Sequence, residues 1–143
     1  MELKAEDVKY IVVHCSATPP DMDIGVAEID QWHRERGWKG CGYHAVIRRN
    51  GALQPARFED EVGAHCKGFN RKSFGICLVG GVDEVGDAEF NFTQAQMSML
   101  SIIIPQLQRK FPNAVAVGHR DLNPYKDCPC FEVDEYVKYP VRR

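Results

Sequence analysis

The stretch "YIVVHCSAT", residues 10–18, decides the architecture. Its apolar run is β-branched, short for a helix and lacks the alternation of a strand that faces water, so it reads as a central strand with His14 near its C-terminal end. Downstream, Val26, Ile29 and Trp32 or His33 fall at helical spacing within residues 25–36, and Gly37 stands where a helix C-terminus takes a left-handed residue. "GYHAVIRRNGALQPA" then offers two strand-like runs joined by Asn50-Gly51, a strong hairpin signal. Alternation along the first run puts Tyr43, Ala45 and Ile47 on one face, and His44, Val46 and Arg48 on the other.

Residues 59–73 form a polar loop in which Gly63 and Gly68 flank His65, and "SFGICLVGG" follows as a further strand. Thr93 and Gln96 make a capping box, after which Met97, Leu100, Ile104, Leu107 and Phe111 recur every three or four residues. This predicts a long core-facing helix, kinked at Pro105. "NAVAVGHR", residues 113–120, is the last strand, and a loop leads from it to a short helix near 131–138. Strands alternating with helices, plus one hairpin, predict an α/β fold: a single-domain mixed central β-sheet covered by helices, over residues 1–143.

The 143 residues suffice for one real core. A formal charge of −2 provides no electrostatic footprint for nucleic acid. The N-terminal stretch is charged through its first nine residues, which predicts neither a signal peptide nor a membrane span, and hence a chain kept in the cytoplasm with its six cysteines reduced. Cys77, within "FGICLVGG", is expected to be a small buried apolar residue.

His14 and His119 each lie near the C-terminal end of an apolar strand, where ligands of open α/β sheets gather. Two readings of this pair stand on the residues alone. They are either separate, satisfied polar groups, or two ligands of a metal to which Cys128, in the following loop, adds a thiolate. Two imidazoles and one thiolate would leave a tetrahedral zinc with one open position, as catalysis requires. The metalloprotease motif HExxH is absent.

The blocks "VHCSAT", "QWHRERGW", "GYHAVI", "VGAHCKGFN", "ICLVGG", "FTQAQM" and "GHRDLNPYKDCP" occur in this order and together resemble the zinc-dependent N-acetylmuramoyl-L-alanine amidases of the phage T-seven lysozyme type. Peptidoglycan recognition proteins are more distant members of that superfamily. The resemblance spans roughly residues 8–139. It implies that His14, His119 and Cys128 are zinc ligands, that Tyr43 and Lys126 are catalytic, and that His65 is a cleft histidine contacting substrate. It also implies a phage or prophage endolysin that hydrolyses peptidoglycan between N-acetylmuramic acid and L-alanine, acting as a monomer without inserting in membrane. Such a protein, made in the host cytoplasm, would reach the periplasm and cell wall through holin lesions. Two alternatives accompany this reading: a binding-only recognition module, and an additional role as regulator of a phage RNA polymerase.

Two departures from the family pattern are visible. The loop from His119 to Cys128 is one residue longer, with Tyr125 as the insertion, and Cys130 stands where close relatives carry serine. Cys130 is therefore a rival ligand. Cys128 is preferred because it follows Lys126 as the family's ligand follows its catalytic lysine, and Pro129 restricts Cys128 to extended backbone. In an extended segment the two thiols would share a face ~6.5 Å apart, too far to replace each other. Without the resemblance, Tyr43 reads as a half-buried strand residue and Lys126 as a solvated loop lysine. His33 and His44 stay outside the site, and Trp32 and Trp38 read as packing residues.

Overall fold

The structure, a computed structural model, describes residues 2–134. The second half of the helix expected near residues 131–138 therefore lies outside the described residues.

Five strands form one mixed sheet: β1 (Tyr10–Cys15), β2 (Ala45–Ile47), β3 (Leu53–Pro55), β4 (Ser73–Leu78) and β5 (Val115–Gly118). Their order is β3-β2-β4-β1-β5, with β2, β4, β1 and β5 parallel and β3 antiparallel at one edge. The strand that opens the sequence thus lies between β4 and β5, paired on both sides as its continuous apolar run requires. The β2–β3 hairpin turns at Gly51, whose φ of +87° suits glycine, and Arg48 N–H donates to Ala52 O to close it.

Each face of the sheet has its own core. Ile11, Val13 and Cys15 of β1 pack with Ala45, Ile47, Phe74, Ile76 and Leu78 against Leu100, Ile103, Ile104 and Leu107 of α2 (Gln94–Lys110). On the opposite face Ile29 of α1 (Val26–Glu35) joins Val46, Cys77 and Val79. The capping box forms as expected: Gln96 N–H donates to Thr93 Oγ1 at 3.1 Å, and Thr93 N–H to Gln96 Oε1 at 2.9 Å. α2 continues through Pro105 as one helix and ends at Lys110, leaving Phe111 as its buried C-cap.

The expected face assignment of Tyr43 is corrected. Residues 42–44 bend before β2 begins, so Tyr43 packs with Val46 on the α1 side, away from Ala45 and Ile47. His44 takes the other side and stacks on Phe74 with ring centroids 4.6 Å apart.

Candidate metal centre

Because β1 and β5 are parallel neighbours, their C-terminal ends reach the same edge of the sheet. Val13 pairs with Gly118, so His14 and His119 are the next residues of adjacent strands, and their rings lie 4.5 Å apart. His119 opens a short helix, α3 (His119–Leu122), and the chain then turns back over the strand ends. Arg120 N–H donates to Cys128 O at 2.7 Å and brings the returning segment beside β1. Gly118 permits that approach, since a Cβ there would stand 2.9 Å from Pro129 Cδ.

One donor atom each from His14, His119 and Cys128 lies within 4.8 Å of the others. Cys128 Sγ stands 3.9 Å from His14 Nδ1, close to the ~3.6 Å that tetrahedral zinc imposes between a nitrogen and a sulfur ligand. Cys15 N–H donates to Cys128 Sγ at 3.0 Å and so orients the sulfur. Burial, reinforced by His65 and His119, holds His14 well below the usual histidine pKa, so it presents a neutral imidazole. Imidazole nitrogen and cysteine sulfur in this arrangement are a donor set that fits zinc.

His65 stands behind His14, its Nδ1 2.8 Å from His14 Nε2. A metal on His14 Nδ1, beside Cys128, would require His14 Nε2 to carry the proton and donate to His65. His65 is then protonated on Nε2, which lies 3.3 Å from Ser73 Oγ, and Ser73 in turn donates to Phe69 O at 2.8 Å. This chain fixes the tautomer of the candidate ligand. Both ring nitrogens of His65 are engaged within the protein, by His14 and Ser73. Its ring fits because Gly63 and Gly75 make room: a Cβ would stand 2.6 Å from His65 Cδ2 at position 63 and 2.7 Å from Cγ at position 75.

Tyr43 flanks His14 at 5.0 Å between ring centroids, and burial raises its phenol well above the usual pKa, keeping it a hydroxyl donor. Lys126 is exposed on the returning loop, and its N–H donates to Asn123 O. Tyr125 beside it is 94% exposed. His44 is a satisfied core residue, with Nε2 2.6 Å from Glu61 O and Nδ1 accepting from Gly75 N–H.

His33, which stands outside the proposed site, is buried on α1. It accepts Gly42 N–H at 2.8 Å, and its ring lies 5.5 Å from that of Tyr43, so it braces the segment that presents Tyr43. Trp38 covers its other side at 4.6 Å. The spacing of His33 with Ile29 on α1 was the available signal. Both tryptophans remain a little over one-third exposed.

The second cysteine is also placed differently from expectation. Cys130 N–H donates to Asp127 O, closing a turn where an extended segment was predicted, and Cys130 has φ +76°. Its thiol consequently lies on the α2 side of β1, donating to Gly81 O at 3.0 Å, while Cys128 meets His14.

Buried neutral histidines make the fold acid-sensitive. His65 is lowered to about 3, chiefly by burial and then by His44 and His119, and His14 is lowered in the same direction. Their folded pKa values lie below the unfolded value near 6.5, so their contribution is full above that pH and is lost as pH falls. In chelator, urea denaturation should show stability dropping by ~2 kcal/mol for His65 between pH 7 and pH 5, with His14 acting in the same direction. A flat profile over that range would show that these rings protonate freely in the native state.

Fold and site define a class: an α/β domain with a candidate single-metal centre at the strand ends. Residues 4–131 match the N-acetylmuramoyl-L-alanine amidase family. The chain is 47% identical over 135 residues to an endolysin of Enterobacteria phage K11, covering 94% of this chain and 89% of the relative. It is 45% identical over 131 residues to the endolysin of Escherichia phage T7, covering 92% and 86%. Among solved structures, the N-acetylmuramoyl-L-alanine amidase LysC from Clostridium intestinale superposes with a TM-score of 0.81 at 29% identity, covering 97% of this chain and 89% of that one. Drosophila PGRP-LB shares the fold, with a TM-score of 0.74 at 24% identity over 90% and 78%. The chain belongs to the N-acetylmuramoyl-L-alanine amidase family and is an amide hydrolase.

Proposed function

We propose that this chain is a phage endolysin that cleaves the amide between the lactyl group of N-acetylmuramic acid and L-alanine in peptidoglycan, using one zinc ion held by His14, His119 and Cys128. The observation that carries the metal assignment is the convergence of those three donors at the strand ends of an amidase domain. The endolysin relatives, matched over most of their length, support peptidoglycan as substrate and lysis as outcome.

Zinc bound there would acidify a water and polarise the scissile carbonyl. The chain's own groups supply the rest. Tyr43 stands beside His14 as a neutral donor, suited to an oxygen that gains charge in the transition state. Lys126, exposed on the loop two residues before Cys128, is the cation proposed to serve the same oxygen or the leaving amine. His65 and Ser73 keep the His14 proton on Nε2 and its other nitrogen free for the metal.

No helix among the described residues is long and apolar enough to cross a membrane. Synthesis in the host cytoplasm and passage to the wall through lesions made by a separate holin complete the proposed route.

Digestion of purified peptidoglycan should release new L-alanine amino termini, detected by mass spectrometry, and chelation should stop this while leaving far-ultraviolet circular dichroism largely intact. New reducing sugar ends would indicate a glycosidase and overturn the reading, and binding without cleavage would make the chain a recognition module. Complete unfolding on chelation would make the metal structural.

A further inference from the structure

Three thiols meet where β1 ends, and only one belongs to the proposed metal site. Cys15 is the last residue of β1 and is buried, with its Sγ 4.0 Å from Cys130 Sγ. Cys130 reaches that position through left-handed backbone at φ +76°, a conformation that costs an L-residue roughly 1–2 kcal/mol and persists only where its surroundings hold it. The Asp127–Cys130 turn and the thiol's bond to Gly81 O hold it here. Gly81 completes the arrangement from a third segment: at φ +105° it is glycine-specific backbone, and a Cβ there would stand 2.6 Å from Cys15 Sγ. The two sulfurs thus share a space that all three segments leave open.

We infer that Cys15 and Cys130 are a disulfide-forming pair that, once oxidised, locks the loop carrying Cys128 onto the strand carrying His14. The sulfurs must approach by about 2 Å to reach a bond of ~2.05 Å, within reach of side-chain rotation and a small shift of the half-exposed turn. Cys128 also borders Cys15 but is the proposed metal ligand, which leaves Cys130 as the free partner.

The oxidant is a small-molecule or protein disulfide of an oxidising compartment. Cys130, a thiol at rest, attacks it as its proton is lost to solvent, releasing one thiol and forming a mixed disulfide. Cys15 then displaces the second thiol, so two S–H bonds and one external S–S bond become one internal S–S bond and two external thiols. A chain made in a reducing cytoplasm and acting on the wall outside passes between the two conditions. The consequence for metal retention rests on the proposed zinc site, whereas the cross-link itself does not.

Zinc-loaded protein, purified in reductant and then exposed to excess oxidised glutathione, should be denatured, alkylated and mapped by mass spectrometry. Two thiols should escape alkylation, with Cys15 and Cys130 in one cross-linked peptide. Zinc loss to EDTA should slow by tenfold or more relative to the reduced protein. Cys130→Ser should keep zinc and amidase activity, form no cross-link and lose zinc at one rate under both conditions. Alkylation of all six thiols, a lasting glutathione adduct on Cys130, a Cys15–Cys128 cross-link that expels zinc, or unchanged zinc loss after cross-linking would each overturn the inference. Absence of zinc from the reduced parent would instead count against the proposed metal site.

Discussion

Cys128→Ser should lose both bound zinc and amidase activity, the latter falling to background, while Cys130→Ser keeps both. The two residues are separated by Pro129 alone, yet the Asp127–Cys130 turn gives their thiols different partners: Cys130 meets Gly81 O and the Cys15 thiol, and Cys128 meets His14 and the Cys15 N–H. Cys128 Sγ faces His14 Nδ1 at 3.9 Å and receives the Cys15 N–H, so its removal takes away the one sulfur donor of the candidate ligand set. A serine hydroxyl at that position is a poor substitute because it stays protonated at neutral pH. At position 130 a hydroxyl can still donate to Gly81 O, the bond that the thiol makes at 3.0 Å. Zinc content by atomic absorption and release of L-alanine termini would be read on both variants. Loss of zinc in the Cys130 variant alone would mean that the longer loop has shifted the ligand by two positions.

Tyr43→Phe should lower kcat by about 10²–10³-fold with little change in KM and with zinc still bound. The ring packs with Val46 and lies 5.0 Å from His14, so phenylalanine preserves the packing and removes only the hydroxyl. That hydroxyl stays protonated because burial disfavours phenolate, and its proposed work is done when the carbonyl oxygen becomes charged. Turnover at the parent rate would reduce Tyr43 to a packing residue, and zinc loss would give it a role in the metal site.

Features that depend on a few neighbouring residues were the ones legible in the sequence. The buried strand ending at His14, the Asn50-Gly51 hairpin and the Thr93–Gln96 capping box each follow from local chemistry, and each is present. The side on which Tyr43 packs depends on a bend at residues 42–44 that apolar alternation does not record, and the burial of His33 depends on Gly42 and Trp38 closing over it. Proline at 129 suggested an extended chain, but a hydrogen bond from Cys130 to Asp127 made a turn. The partnership of His65 with His14 had one sequence signal: Gly75 lies inside an otherwise apolar strand, where an isolated glycine marks the close approach of another group. The convergence of His14, His119 and Cys128 was expected from strand ends and from family resemblance, and the parallel β1–β5 pair supplies its geometry.

The same pairing has a kinetic consequence. A chain in which β5 has not docked beside β1 holds one imidazole of the set and neither of its partners, so no local fragment can assemble the centre. Pairing between segments so distant along the chain closes a large loop before any contact repays it, the kind of event that slows folding. Metal capture at the proposed centre would then act as a clock for folding, starting when the longest-range strand contact among the described residues has closed.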